Sequence, residues 1–179
     1  APQALTKAGV SSAVFAFQKT WPQNMTLNVS FLDGLEWKRA WVEKNVMEIL
    51  QPLVNLKFNF SQSAMPKHIT ISFKEDGAWS LIGKESVQQQ PSMNLGWLDS
   101  PLDSFTWKDK TYGQCSGTNP AADCIPTKEM VAPKNLRTSG FTNGATIIHE
   151  FGHALGMLHE HQNPRGDPIK WNQEAVWNS

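Results

Sequence analysis

The stretch HEFGHALGMLHEH, residues 149–161, holds four of the five histidines of the chain and decides how the rest is read. On an α-helix, His153 lies about 40° round and roughly 6 Å along the axis from His149, so both imidazoles reach one ion. Glu150 stands beside them. Ile147, Phe151, Ala154 and Leu158 fall at about 140–200° on the same wheel, which predicts an apolar stripe opposite the histidine face. The helix is expected over 142–158. Continued unbroken, it would carry His159 about 15 Å from His149 and onto another face, too far to share the ion. Gly156 supplies the break: a left-handed residue there ends the helix and turns the chain back, returning His159 as third ligand.

This arrangement reads as His149, His153 and His159 holding one Zn2+, with Glu150 as general base for a water in the open position. The chemistry is peptide-bond hydrolysis. A rival within the metal class takes a downstream carboxylate, Glu174, as third ligand, which leaves Gly156 and His159 unexplained. His161 reads as a structural neighbour, and His68 as a solvated residue opening a strand.

Upstream, Leu27, Val29 and Phe31 alternate with Asn28, Ser30 and Leu32, predicting a strand with one buried face. Asp33 and Glu36 resemble a capping box, and Leu35, Val42, Val46, Ile49 and Leu53 keep helical spacing, so a helix is expected from Leu35 to Leu50, stopped by Pro52. Trp37 and Trp41 read as packing residues on it. Alternation at Leu56, Phe58 and Phe60, at Ile69, Ile71 and Phe73, and at Met93, Leu95 and Trp97 predicts three further strands, with Asp76-Gly77 turning the chain between the last two. Strands around an early helix imply an α+β (or α/β-like) layered domain. From 99 to 140 the pattern dissolves into Pro, Gly, Asp, Ser and Lys, and this segment reads as an insertion.

The whole chain, 179 residues, suits one domain, 1–179. Lys+Arg and Asp+Glu both number 16, charged residues are only 18%, and the cations are scattered, which argues against nucleic-acid or anionic-membrane partners. Apolar runs fall far short of the ~20 residues of a bilayer span, and the first residues lack the pattern of a signal peptide. Cys115 and Cys124 sit in a turn-rich stretch and read as a loop-closing disulfide, which needs an oxidising compartment and therefore implies a secreted protein. Two unpaired thiols are the alternative.

With these residues in hand, the chain resembles the metzincin zinc endopeptidases, whose HExxHxxGxxH pattern is matched by His149, Glu150, His153, Gly156 and His159. Within that clan it is similar to the astacin-like family. Glu160 and His161 after the third histidine, and the segments WPQNMTLNVSFL, HITISFKEDGAWSLIG and PSMNLGWL, carry that resemblance. It implies an upper subdomain with a twisted mixed sheet of about four to five strands, a backing helix and an active-site helix. It also implies protein or peptide substrates bound along an edge strand, here Met93–Trp97 with Asn94, Leu95 and Gly96 as the binding residues. Zymogen activation by removal of a pro-segment is implied as well, with the new terminal amine of Ala1 pairing with Glu160.

One departure accompanies the resemblance. The Met-turn and the nearby Tyr of such enzymes have no counterpart, since the last Met is Met157 and the only Tyr is Tyr112. The lower, C-terminal subdomain is thus expected to be absent from this chain or carried on a second chain cut from the same precursor. A non-catalytic zinc-binding or protein-interaction module derived from such a protease is the competing function.

Overall fold

The computed structural model of the chain describes residues 14–98, 104–115, 124–125 and 144–159. In chain order they form β1 (Val14–Phe15), β2 (Thr26–Phe31), α1 (Glu36–Asn45), β3 (Lys57–Phe60), β4 (Ile69–Ser72), β5 (Ala78–Ser80), β6 (Met93–Leu95), β7 (Phe105–Trp107), β8 (Lys110–Tyr112), α2 (Ala145–Ala154) and β9 (Met157–Leu158). The fold is α+β. Its main sheet has five strands in the order β3-β2-β4-β6-β5, parallel throughout except for β5, which runs antiparallel to β6.

Apolar alternation places Leu27, Val29, Ile69, Ile71, Met93 and Leu95 in one buried cluster with Trp37, Val42 and Val46 of the α1 region and Ile147, Phe151 and Ala154 of α2. Burial of such side chains contributes about 1.5–3 kcal/mol each. β2 departs from the expected single buried face. Asn28 and Ser30 are buried too, because the chain at 61–68 covers them and supplies acceptors: Asn28 donates to the Pro66 carbonyl at 2.9 Å and Ser30 to that of Ser61 at 3.1 Å. His68 is likewise buried rather than solvated, and its Nδ1 accepts the Asn28 N–H at 2.9 Å.

The capping box expected at Asp33 does not form. The Asp33 carboxylate instead accepts from the Ser72 hydroxyl at 2.6 Å and the Phe73 N–H at 2.8 Å, tying the entry of α1 to the end of β4. Past Asn45 the helical path widens through a π-type turn at Val46–Leu50, then tightens over Gln51–Leu53, where Pro52 ends it.

Part of the irregular 99–140 segment is ordered. β7 and β8 pair as a hairpin across Lys108–Asp109, both with positive φ (49° and 62°), the signature of a type I′ turn. Phe105 sits 4.9 Å from the rings of both Trp41 and Tyr112, fastening the hairpin to α1. Cys115 and Cys124 are joined in a disulfide with Cα atoms 5.0 Å apart, and Ile125 exchanges backbone bonds with Cys115 and Gly113. Among the described residues, no helix is long and apolar enough to cross a membrane.

Candidate metal centre

α2 is rooted by its apolar face: Ile147, Phe151 and Ala154 are fully buried, and Phe151 meets Phe58 edge-on at 5.7 Å. The helix begins after Gly144, whose φ of +89° and close approach to the Asn45 side chain leave no room for a Cβ. It ends one turn earlier than the wheel predicted, so Leu158 lies in β9 rather than on the helical stripe. Gly156, at φ +104°, makes the turn, with its N–H bonded to the His153 carbonyl at 2.8 Å.

The reversal brings His159 back over the helix. The three Nε2 atoms of His149, His153 and His159 form a nearly equilateral triangle, with separations of 3.1, 3.1 and 3.2 Å. Tetrahedral zinc with ~2.0–2.1 Å bonds separates its ligand nitrogens by about 3.3 Å, so the triangle fits such an ion. The tautomer fits as well. Nδ1 of His153 lies 2.8 Å from the Met157 carbonyl, an acceptor only, so the proton sits on Nδ1 and Nε2 presents a lone pair inward. Burial lowers the pKa of His149 below the ordinary histidine value, and the neighbouring imidazoles of His153 and His159 lower it further. Three donor nitrogens facing one point suit a borderline divalent cation.

Glu150 is buried, and its Oε2 has no hydrogen-bond partner among the described residues. Burial pushes its carboxyl above the ordinary glutamate range, with the His153 charge acting in the opposite direction. An orphaned carboxylate oxygen beside a metal-ligating cluster is the arrangement that a proton-accepting group requires.

The edge expected at Met93–Trp97 is corrected. β6 lies inside the sheet, flanked by β4 and β5, and the edge is β5. Asn94 and Leu95 are fully buried. Asn94 instead donates to the carbonyls of Glu75 (3.0 Å) and Gly77 (2.8 Å), and a Cβ on Gly96 would strike the Glu75 carbonyl oxygen. Both residues hold the turn that leads into β5. That strand eluded the sequence reading because three residues, Ala78-Trp79-Ser80, are too few to show a period. Ala1, Glu160, His161 and Glu174 lie outside the described residues.

Sequence reasoning also missed the segment that grips the metal turn from behind. β1 pairs antiparallel with β9, matching Val14 to Leu158 and Phe15 to Met157. The Ala16 N–H donates to the Gly156 carbonyl at 2.8 Å, and the indole N–H of buried Trp21 donates to that of Ala154 at 2.7 Å.

No family model and no curated protein matches the chain. Among solved structures, one of myroilysin, a metalloprotease, aligns with 93% of this chain and 64% of its own at a TM-score of 0.61 and 27% identity. A second structure of myroilysin gives 89%, 54%, 0.53 and 28% for the same quantities. The chain thus spans less than two thirds of each. It has an α+β fold similar to that of myroilysin, with His149 and His153 on α2 and His159 just past β9 forming a group that could hold one metal ion.

Proposed function

We propose that this protein is a secreted zinc endopeptidase of the astacin-like type, with His149, His153 and His159 as zinc ligands and Glu150 as general base. The observation that carries the reading is the Nε2 triangle closed by the Gly156 turn, with an unpartnered Glu150 oxygen next to it. Zinc, when bound, supplies Lewis acidity toward water and the substrate carbonyl. Glu150 takes the proton of the attacking water on its buried oxygen, an uptake that its raised pKa favours, and then passes that proton to the more basic departing amine. The His153–Met157 bond keeps the lone pair of its ring fixed during turnover.

An extended peptide lies along β5. α2 packs against β5 and β6, which puts this edge over the histidine helix. Leu81 donates to Ser92 on the inner side, so by antiparallel alternation the main-chain groups of Ala78 and Ser80 face outward and are available to a substrate strand. The disulfide fits an oxidising, extracellular setting. Substrate proteins, pro-segment removal and a companion C-terminal chain belong to the same proposal.

Casein digestion with and without a chelator, alongside metal analysis, tests it. The Glu150→Gln variant is expected to retain stoichiometric zinc and lose about 10²–10⁴-fold in rate. Full activity in that variant overturns the base assignment. Stoichiometric zinc in a wild-type protein that cleaves nothing replaces the enzyme with a zinc-binding module.

A further inference from the structure

The arm that delivers His159 leaves α2 at the Gly156 turn. Beyond Gly156 it is extended, and its backbone ties to α2 are the His153 ring bond to Met157 and the Gly156 N–H bond to His153. Among the described residues, β9 has β1 as its only strand partner. Several fastenings of this turn come from residues 14–21: the β1 pairing, the Ala16 N–H on Gly156, the Trp21 indole on Ala154, and the close approach of Thr20, whose methyl lies 3.0 Å from where a Gly156 Cβ would stand. The Trp21 bond also satisfies a last-turn carbonyl of α2 that the helix itself leaves open.

We propose that residues 14–21 form a clamp that positions the third metal ligand, so that Ala16 and Trp21, which touch no metal, set how tightly the site binds it. The proposal rests on the three-histidine reading above. A ligand supplied on a loose arm is ordered at the moment of binding, and that cost weakens the site; a clamped arm has met it on folding. Partners that orient a ligand in this way change metal affinity by about 10–100-fold when removed.

Two substitutions isolate the effect. Ala16→Pro removes one donor at a residue whose φ of −80° a proline accepts, after a residue already extended. Trp21→Phe removes the indole N–H and keeps an aromatic ring. Zinc affinity, read by competition with a chromogenic chelator, is expected to fall about 10–100-fold in each. The visible spectrum of the cobalt(II) form should weaken as the third imidazole is lost. A core variant outside the clamp, Val42→Ala on α1, serves as control: it lowers the urea midpoint without moving zinc affinity.

Should either variant not fold, the wild-type protein supplies the second test. Coupling is reciprocal, so zinc must slow hydrogen exchange at the Ala16 amide and the Trp21 indole, neither of which is a ligand. Unchanged affinity in both variants, or unchanged exchange at both groups on adding zinc, overturns the clamp. A wild-type protein that binds no zinc overturns instead the three-histidine reading beneath it.

Discussion

Gly156 combines two demands that only glycine meets. Its φ of +104° costs any L-residue about 1–2 kcal/mol, and a Cβ there would stand 3.0 Å from Thr20. Gly156→Ala is therefore expected to lower the urea-unfolding free energy of the zinc-free protein by at least about 1–2 kcal/mol and to weaken zinc binding along with it. A fully stable variant with native affinity would show that the turn tolerates another path. His68 offers a pH-dependent counterpart. Burial lowers its pKa in the folded protein, where Nδ1 must stay unprotonated to accept the Asn28 N–H. The unfolded chain takes up a proton near the ordinary value of about 6.5, so the stability that His68 contributes is full above that pH and is lost as pH falls toward the lowered folded value. Zinc-free His68→Gln should show a shallower loss of urea midpoint than wild type below pH 6.5; parallel curves would refute this. The metal-site residues were legible at this scale because HExxHxxGxxH encodes geometry through spacing alone. Asn94 was misread because a buried amide stapling a turn and an exposed amide binding a peptide look alike in a sequence.

At the scale of elements, long periodic segments were readable and short ones were not. β2, α1, β3, β4 and α2 carry enough alternating or helical positions to declare themselves, and β6, itself three residues, sits in an alternation that runs on to Trp97, whereas β5, β1 and β9 draw their structure from partners. The β7–β8 hairpin hid for another reason. Its type I′ turn is built from Lys108 and Asp109 instead of the glycine-containing pairs that usually announce one. The disulfide beyond it closes a loop with a sequence separation of 9, worth about 2.7 kcal/mol in the chain-entropy account. Replacing Cys115 and Cys124 together by serine should cost roughly that in unfolding free energy while leaving zinc affinity at its native value, because the bridge follows the β7–β8 hairpin whereas the histidines sit on and just beyond α2. A large loss of zinc affinity in the double variant would contradict that separation.

For the molecule as a whole, metal and fold are linked. A cation that binds the closed triangle and not the open chain adds about 4 kcal/mol at a thousandfold excess over its dissociation constant. For a chain of this size that corresponds to a rise in melting temperature of roughly 8–16 °C. Calorimetry with and without zinc checks it, and coincident transitions would mean that the histidines do not act together. The core and the approximate helix positions needed no metal to be inferred, since apolar patterning dictates them; the sheet order did not follow from it. The clamp did need the structure, because hydrogen bonds from backbone and indole leave no periodic trace.

The bond from Trp21 to Ala154 joins residues 133 positions apart. Contacts so distant along the chain close slowly and late in folding, after nearer pairings have shortened the path. During synthesis, α2 and its first two histidines emerge long after Trp21, which must wait through the making of the entire sheet for its acceptor. On the clamp proposal, tight metal capture follows the meeting of the early and late segments, so maturation of the centre would double as a checkpoint on complete assembly.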